Sequence, residues 1–330
     1  MKKIICTVLI LTIILCLAFS MLTGLTGCAP EDDGKLKVVV TIFPIYDWVL
    51  EILGDRAEEV NVTLLLDSSV DLHSYQPAAE DLIAVAQADL FIYIGGESDE
   101  WVEDALEIGA NKDRRTMDLL SLLGDKAQIE EIKEGMEHEH EEAHSEEEEE
   151  AEYDEHVWLS LKNASFCVSE IAKELSSVDS ANAETYFANA GAYIAKLNAL
   201  DESYAAVVAA SPRDTLLFGD RFPFRYLVED YGLNYYAAFV GCSAETEASF
   251  ETMDFLIGKA NELSVKVILK IENSSSKIAE AVKNGSDAKN QEIKVLDSLQ
   301  SATKKEYAAG RTYLAVMMSN LEVLRAALAA

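Results

Sequence analysis

Positive charge is scarce in this sequence. Its 330 residues include 59 aspartates and glutamates but only 27 lysines and arginines, so the formal net charge at pH 7 is −32. A strongly acidic protein repels nucleic-acid phosphates and anionic membrane surfaces, which excludes both as preferred partners. Cations are the partners that this charge favours.

Cysteine is rare as well. Three of the five cysteines fall in the first 28 residues, and only Cys167 and Cys242 remain in the rest of the chain. Two cysteines in a secreted domain could form a disulfide, or they could equally be buried thiols. The sequence leaves these alternatives open.

Several catalytic motifs are missing. The chain contains no His-Glu-x-x-His, no Gly-x-Ser-x-Gly and no phosphate-binding glycine loop. It also offers no nucleophilic cysteine with a partnering histidine. These absences argue against an enzyme.

The N-terminal segment is, in contrast, rich in apolar residues. Two lysines precede an apolar run over residues 4–22, and residues 25–28 read Leu-Thr-Gly-Cys. A cationic start, an apolar core and a small-residue cleavage site are typical of a signal peptide. No later hydrophobic run is long enough to cross a membrane.

The cysteine that follows the small residues resembles the lipobox of bacterial lipoproteins. We therefore predict a lipoprotein signal over residues 1–28, lipidation of Cys28 and a polar tether over residues 29–35. The protein is then extracytoplasmic and anchored to the cell membrane. An uncleaved transmembrane helix is the alternative, because about 20 apolar residues can span a bilayer.

Beyond the tether, short β-branched runs alternate with segments of helical periodicity. Strand candidates lie at residues 37–42, 60–66, 90–94, 215–218, 235–239, 265–271 and 293–296. Helix candidates lie near residues 44–53, 78–88, 222–231, 250–263, 276–283 and 305–327. This alternation predicts α/β architecture with parallel sheets and right-handed crossovers.

Residues 181–210 differ from the α/β blocks on either side. They show no strand signal and no proline, and their apolar residues recur at a spacing of three or four. A helix of about 28 residues would be ~42 Å long. We predict two lobes, each with a mostly parallel sheet flanked by helices, at residues 36–178 and 211–330, joined by one long rigid helix within residues 179–210.

One segment of the N-terminal lobe has an unusual composition. Residues 130–155 hold fifteen acidic residues and one lysine, together with His138, His140 and His144. Such a block repels itself and buries little apolar surface, which predicts disorder. The histidines among carboxylates predict an auxiliary metal-binding loop, with a solvated acidic loop as the alternative.

The other two histidines, His73 and His156, each lie just before a helix. His73 follows the strand candidate at residues 60–66, and His156 stands where the acidic segment ends. In open α/β sheets, ligands bind beyond the carboxyl ends of strands, so these two imidazoles could bind one ion. Imidazole suits zinc better than calcium or magnesium. By themselves the two could equally be unrelated loop histidines.

Longer motifs around these histidines resemble a known family. Residues 73–77 (His-x-Tyr-x-Pro) and 155–158 (acidic-His-x-Trp) resemble the first two ligand motifs of zinc- and manganese-binding proteins of ABC importers. The acidic, histidine-rich insert resembles the zinc members. Further similarities are an aromatic helix at residues 224–233, Glu-x-Glu-x-Ser at 245–249 and a strand ending at Asp297. The resemblance covers residues 36–325 and implies a metal held between two lobes.

The resemblance also implies ligands from the C-terminal lobe. The family's third ligand falls on Arg221, which has no acceptor atom and cannot bind a metal. Asp220 is the predicted third ligand, with an Asp220–Arg221 ion pair and a water ligand as the alternative. Asp297 is the predicted fourth ligand, or else a helix N-cap. Glu272 is predicted to orient a ligand, or else to have a structural surface role.

Together these features predict capture of Zn²⁺, with Mn²⁺ as the alternative ion. The partner implied by the resemblance is the permease of an ABC importer, served by a monomeric lipoprotein. The alternatives from other classes are a metal-dependent hydrolase with an open water position on the metal, and a surface adhesin. The sequence identifies neither the transporter nor the Gram type of the cell.

Overall fold

The computed structural model describes residues 33–68, 70–109, 111–136, 152–243 and 247–329. Within the chain, residues Leu36–Ala330 form one compact unit. Cys28 and the three histidines of the acidic loop, His138, His140 and His144, lie outside the described residues. Their predicted lipidation and metal binding therefore stay predictions.

The first half of the unit is built on a four-stranded parallel sheet. Its strands are β1 (Leu36–Val40), β2 (Val60–Leu64), β3 (Leu90–Tyr93) and β4 (Arg115–Asp118), in the spatial order β2-β1-β3-β4. The helices between and after them are α1 (Phe43–Leu53), α2 (Ala79–Gln87), α3 (Trp101–Glu107) and α4 (Leu119–Leu123). Val38, Val40 and Phe91 are buried, as expected for central strands covered on both faces.

Two helices then run consecutively. They are α5 (Leu161–Val178) and α6 (Ala183–Ala210). Helix α6 has 28 residues, which confirms the predicted long helix. Its buried residues recur at helical spacing and include Tyr186, Tyr193 and Tyr204. One face of the helix is thus packed into the core along its length.

The second half carries three pairs of parallel strands. They are β5 (Thr215–Leu217) with β7 (Asn234–Tyr236), β6 (Arg221–Phe222) with β8 (Phe239–Val240), and β9 (Val267–Lys270) with β10 (Glu292–Val295). The helices are α7 (Arg225–Tyr231), α8 (Phe250–Glu262), α9 (Lys277–Gly285), α10 (Lys304–Ala308) and α11 (Tyr313–Ala327). The parallel pairing confirms the predicted α/β class. The division into two lobes stays a prediction.

Three elements differ from the sequence-based expectation. The helix expected at residues 305–327 is two helices, because Gly310 adopts φ +97° between α10 and α11. The helix expected at residues 222–231 begins at Arg225, since Phe222 precedes a proline and is extended in β6. Strand β4 was not predicted, and its exposed polar residues hide it from a search for apolar runs.

Cys167 and Cys242 are both free thiols, so the disulfide alternative does not apply. Cys167 is buried in α5. Over the described part of the chain, no helix combines the length and the apolar character needed to cross a bilayer.

Candidate metal centre

The two histidines that the sequence singles out lie on short turns at the edge of the four-stranded sheet. His73 is in a 3₁₀ turn, Leu72–Ser74, on the connection that follows β2, and the Asp71 carboxylate caps this turn by accepting from the His73 backbone N–H at 3.1 Å. His156 directly precedes a second 3₁₀ turn, Val157–Leu159, which leads into α5. Both turns place a side chain where α/β proteins bind ligands.

The imidazole rings of His73 and His156 meet through their Nε2 atoms, which are 3.1 Å apart. In a tetrahedral zinc site with Zn–N bonds of about 2.05 Å, two nitrogen ligands are ~3.3 Å apart. The observed separation is therefore close to that of two nitrogens bound to one ion. The His156 side chain is fully buried, and that of His73 is 7% exposed.

The His156 ring is oriented by the residue two positions before it. Asp154 Oδ1 accepts from the His156 backbone N–H at 2.9 Å and lies 3.0 Å from its Nδ1. Because a carboxylate is an acceptor only, this contact places the ring proton on Nδ1. The lone pair of a neutral His156 is then on Nε2, facing His73.

The other imidazole has a similar arrangement. His73 Nδ1 lies 2.9 Å from the Ser98 hydroxyl and 3.6 Å from Glu155 Oε2. Glu155 Oε1 in turn accepts from the Ser98 backbone N–H at 2.8 Å. With its proton on Nδ1, His73 donates to the Ser98 hydroxyl and directs its Nε2 lone pair at His156.

The charge state of these groups also suits a cation. Burial, the neighbouring His156 and the Arg221 guanidinium lower the pKa of His73 well below its usual value, so this imidazole is neutral at pH 7. Burial raises the pKa of the Glu155 carboxyl, an effect that hydrogen bonds from Ser98 partly offset. A neutral imidazole is the form that binds a metal.

Glycine at position 96 makes room for the Glu155 carboxylate. Gly96 has φ +82°, and a Cβ there would lie 2.5 Å from Glu155 Oε1. Any side chain would therefore be strained and would push Glu155 away from His73. The residue lies on the connection after β3 that also carries Ser98.

A third metal-binding group lies beside the histidine pair, and the sequence analysis missed it. The Sγ atom of Cys242 and one ring nitrogen from each of His73 and His156 all lie within 4.8 Å of one another. Cys242 follows β8, and its backbone N–H donates to Glu130 Oε1 at 3.0 Å. Burial and the nearby carboxylates of Glu130, Asp154 and Glu155 raise the pKa of its thiol.

Gly241, the residue before Cys242, allows this segment to lie close to His156. A Cβ at Gly241 would lie 2.9 Å from the Phe222 carbonyl oxygen and 3.2 Å from His156 Cε1. The segment that carries Cys242 therefore packs directly on His156. The signal that could have identified it is the position of a cysteine, preceded by glycine, at the carboxyl end of a strand.

The side-chain amide of Gln300 completes this surface. With its nitrogen placed to donate to Asp71 at 3.0 and 3.1 Å, the amide oxygen lies 2.9 Å from His156 Nε2 and accepts from it when that nitrogen carries a proton. When Nε2 carries its lone pair instead, the oxygen and this nitrogen are both electron-pair donors that can face a cation. An amide oxygen is an acceptable additional ligand for a divalent cation.

Asp220 and Asp297, the predicted ligands from the C-terminal lobe, are not part of this cluster. The Asp220 carboxylate accepts from the Ile271 backbone N–H at 3.1 Å and from the Ser274 hydroxyl. Asp297 forms an ion pair with Arg311, with Oδ2 2.8 Å from Nη2. Both assignments stay predictions, although each carboxylate has other partners in the structure.

Arg221 is not paired through its side chain with Asp220. Its guanidinium forms an ion pair with Asp71 and donates to the Ser243 carbonyl at 3.1 Å. It thereby connects the residue that caps the His73 turn to the residue after Cys242. The positive charge lies near His73, where Asp71 compensates it.

Glu272 acts on the loop that carries Gln300. Its carboxylate accepts from the Ser298 backbone N–H at 2.7 Å and from the Gln300 backbone N–H at 3.2 Å. Burial and the nearby Asp297 raise the pKa of Glu272 to about 7. Its predicted role in orienting a ligand stays a prediction, and the contacts to Ser298 and Gln300 are compatible with it.

Comparisons with known proteins show what the chain resembles. The chain is 33% identical over 301 residues to the high-affinity zinc uptake system protein ZnuA of Bacillus subtilis, with 91% of this chain and 89% of the relative covered. It is 32% identical over 307 residues to the zinc-binding lipoprotein AdcA of Streptococcus pneumoniae, covering 91% of this chain and 58% of the relative. The chain thus spans little more than half the length of the streptococcal relatives that it matches.

A solved structure shows the same fold. The Zn(II)-bound ZnuA-like domain of Streptococcus pneumoniae AdcA superimposes with a TM-score of 0.68 at 28% identity, covering 89% of this chain and 99% of that domain. Residues 38–327 match the family described as zinc-uptake complex component A, periplasmic. This match includes both histidine turns and every strand except the first residues of β1, and the chain therefore belongs to the ZnuA family.

Proposed function

We propose that this protein captures a zinc ion at His73 and His156 and delivers it to the permease of an ABC importer. The observation that carries the proposal is the 3.1 Å approach of two Nε2 atoms, with Asp154 Oδ1 3.0 Å from Nδ1 of His156 and the Ser98 hydroxyl 2.9 Å from Nδ1 of His73. Two imidazoles that face each other through Nε2 lone pairs are stabilised by a shared cation.

Zinc is favoured over manganese by the donor atoms. Two imidazole nitrogens with a neighbouring thiol suit a borderline or soft ion, whereas manganese prefers carboxylate and water oxygens. Relatives named as zinc-binding or zinc-uptake proteins support the same choice. The bound ion is cargo, so the protein acts as a carrier and not as a catalyst.

The place of action follows from the N-terminal segment and the family. Lipidation at Cys28 would hold the protein on the outer face of the cell membrane, and the pneumococcal relative is named as a lipoprotein. A component of a zinc-uptake complex requires a membrane partner, which supports delivery to a permease. His138, His140 and His144 would collect ions near the main site without forming it.

The test is calorimetric titration of zinc and manganese into chelator-stripped residues 33–330, which contain the whole compact unit. We expect one tight zinc site, weaker manganese binding and loss of the tight site in His73→Ala. The matched control replaces His138, His140 and His144 by alanine together, which removes three imidazoles but should leave the tight site intact. An Asp220→Ala variant tests the predicted third ligand, with urea unfolding to check that it folds.

Weak zinc binding that is unchanged in His73→Ala and lost in the triple loop variant would overturn the proposal. That result would mean that the acidic loop alone binds metal. Equal affinity for manganese and zinc would retain the capture function but refute the choice of ion.

A further inference from the structure

We infer that Cys242 is a zinc ligand, bound as a thiolate beside His73 and His156, and that it makes the site selective for zinc over manganese. The inference rests on the proposed function and names a ligand for the same site. It departs from the ligand set of His and carboxylate groups that the family resemblance implies.

The first argument is geometric. Among the described residues, Cys242 is the one further metal-binding side chain that shares a cluster with the two histidines. A tetrahedral ion with Zn–N bonds of about 2.05 Å and a Zn–S bond of about 2.3 Å needs an N···S distance of ~3.5 Å. A shift of at most about 1.3 Å in the short segment after β8 would reach this distance from the observed limit of 4.8 Å.

The second argument is that Arg221 and Asp220, the residues at and beside the position of the family's third ligand, are engaged in other interactions. Arg221 forms an ion pair with Asp71 and has no acceptor to offer. Asp220 uses its carboxylate to accept from Arg221 N, Ile271 N and the Ser274 hydroxyl. Recruiting it to the metal would leave two backbone N–H groups without their acceptor. Recruiting Cys242 Sγ instead needs a small shift of the segment after β8.

The third argument is the close packing on both sides of the cysteine. Gly241 approaches His156 so closely that a Cβ would lie 3.2 Å from its Cε1. On the other side, the Ser243 carbonyl accepts from Arg221 at 3.1 Å. These contacts hold the backbone of residue 242 against the histidine pair. Little conformational entropy is therefore lost when the Cys242 side chain binds the metal.

The chemistry sets the selectivity. When the Zn–S bond forms, the thiol proton leaves to solvent and the thiolate reduces the charge of the Zn(His)₂ unit by one. Thiolate is a soft donor that favours zinc and copper(I) and disfavours manganese. Gln300 Oε1 or water supplies the remaining position.

The test compares Cys242→Ser and Cys242→Ala with the matched control Cys167→Ala, all in residues 33–330. Cys167 is a buried thiol in α5 and lies outside the cluster, so its removal reports the general effect of losing a cysteine. Zinc affinity is measured by chelator competition, and manganese affinity by calorimetry. Cobalt(II) is added to each protein as a spectroscopic probe of thiolate ligation.

We expect the Cys242 variants to lose zinc affinity by about 100-fold or more, because even residues that only orient a ligand contribute about 10–100-fold. Manganese affinity should change far less, so the zinc-over-manganese ratio should collapse. The cobalt-loaded parent and Cys167→Ala should show a near-ultraviolet sulfur-to-cobalt charge-transfer band, which is missing from both Cys242 variants.

Two negative results are distinguishable. If the parent binds zinc tightly through His73 but shows no charge-transfer band, and Cys242→Ser binds zinc equally well, the inference fails while the capture function stands. If the parent binds no zinc tightly, both fail together. A Cys242→Ser protein that binds less zinc but keeps the band would also refute the inference.

Discussion

At the scale of single residues, the site depends on groups that do not themselves touch the ion. Asp154 and Glu155 precede His156 in the chain, yet their carboxylates lie beside different imidazoles, that of Asp154 3.0 Å from Nδ1 of His156 and that of Glu155 3.6 Å from Nδ1 of His73. Tyr226, in the helix that resembles the family's aromatic helix, donates from its hydroxyl to the Asp154 carbonyl at 2.8 Å. The family-like motifs thus contain the two proposed ligands and residues that contact the ligand segment.

Gly241 provides a direct test of this close packing. We predict that Gly241→Ala lowers zinc affinity about tenfold or more, because the new methyl group would lie 2.9 Å from the Phe222 carbonyl and 3.2 Å from His156 Cε1. The segment must move away from His156 to relieve these contacts. Chelator competition measures the affinity, and urea unfolding confirms that the variant is folded.

The matched control is Gly258→Ala in α8, where a Cβ would meet no neighbouring atom within 4 Å. It should leave zinc affinity unchanged and stabilise the protein by about 0.5–1 kcal/mol, because alanine is the better helix former. Parent-like zinc affinity in Gly241→Ala would contradict the placement of this segment against His156.

At the scale of secondary structure, α1 and α6 share a buried polar contact. The Tyr193 hydroxyl of α6 donates to Asp47 Oδ2 of α1 at 3.1 Å. Burial, with a further contribution from Glu51, raises the pKa of Asp47 to about 7, although the bond from Tyr193 acts in the opposite direction. Ionisation of Asp47 is therefore unfavourable in this buried position.

The sign of the pH effect follows from the raised pKa. The folded state keeps the Asp47 proton up to about pH 7, whereas the unfolded state loses it near pH 4, so the free energy of unfolding falls as pH rises through this window. We predict that the free energy of unfolding of Asp47→Asn, measured relative to that of the parent, is about 2–3 kcal/mol higher at pH 8 than at pH 5.

Urea unfolding of chelator-stripped protein at the two pH values measures this difference. The control is Asp214→Asn, an exposed aspartate before β5, which should shift stability equally at both pH values. An Asp47→Asn protein whose stability relative to the parent is the same at pH 5 and pH 8 would refute the assignment.

The elements that the sequence predicted are those with strong local signals. Strand β3 is a continuous apolar run, β1 ends in three consecutive buried valines, and α6 has a regular apolar face over 28 residues. Strand β4 lacked such a signal because only its third residue, Met117, is buried. The break at Gly310 was missed because the helical pattern continues on both sides of it.

The candidate site was predicted only in part, because only some of its residues stand in motifs with a strong local signal. His73 and His156 stand in motifs that can be read locally, and the structure brings them together. Cys242 has no motif, and it reaches the histidines only because β8 ends beside His156 in the folded chain. The contacts of Asp220 with Ile271 and Ser274 depend equally on tertiary packing, so no local pattern reports them.

At the scale of the whole molecule, the histidine segment is bonded directly to the C-terminal part of the chain. The Trp158 indole N–H donates to the Ser298 carbonyl at 2.8 Å, and the Tyr313 hydroxyl donates to the Trp158 carbonyl at 2.6 Å. Arg221 adds an ion pair to Asp71. These two hydrogen bonds and the ion pair resist a large movement of the histidine segment away from the C-terminal part of the chain, because all of them would have to break together.

We therefore predict that zinc tightens the site locally and does not rotate one half of the molecule against the other. Hydrogen exchange followed by mass spectrometry, with and without zinc, measures this. Protection should increase in the turns around His73 and His156, on the connection with Ser98 and in the segment that carries Cys242, because metal bonds suppress their local opening. Helix α6, already packed along one face, should exchange at the same rate in both states.

The His73→Ala protein serves as the control, since zinc should leave its exchange unchanged. Zinc-dependent changes that extend along α6 or through the core of α1 and α11 would instead indicate a hinge motion, which the fixed contacts of Trp158 and Tyr313 oppose.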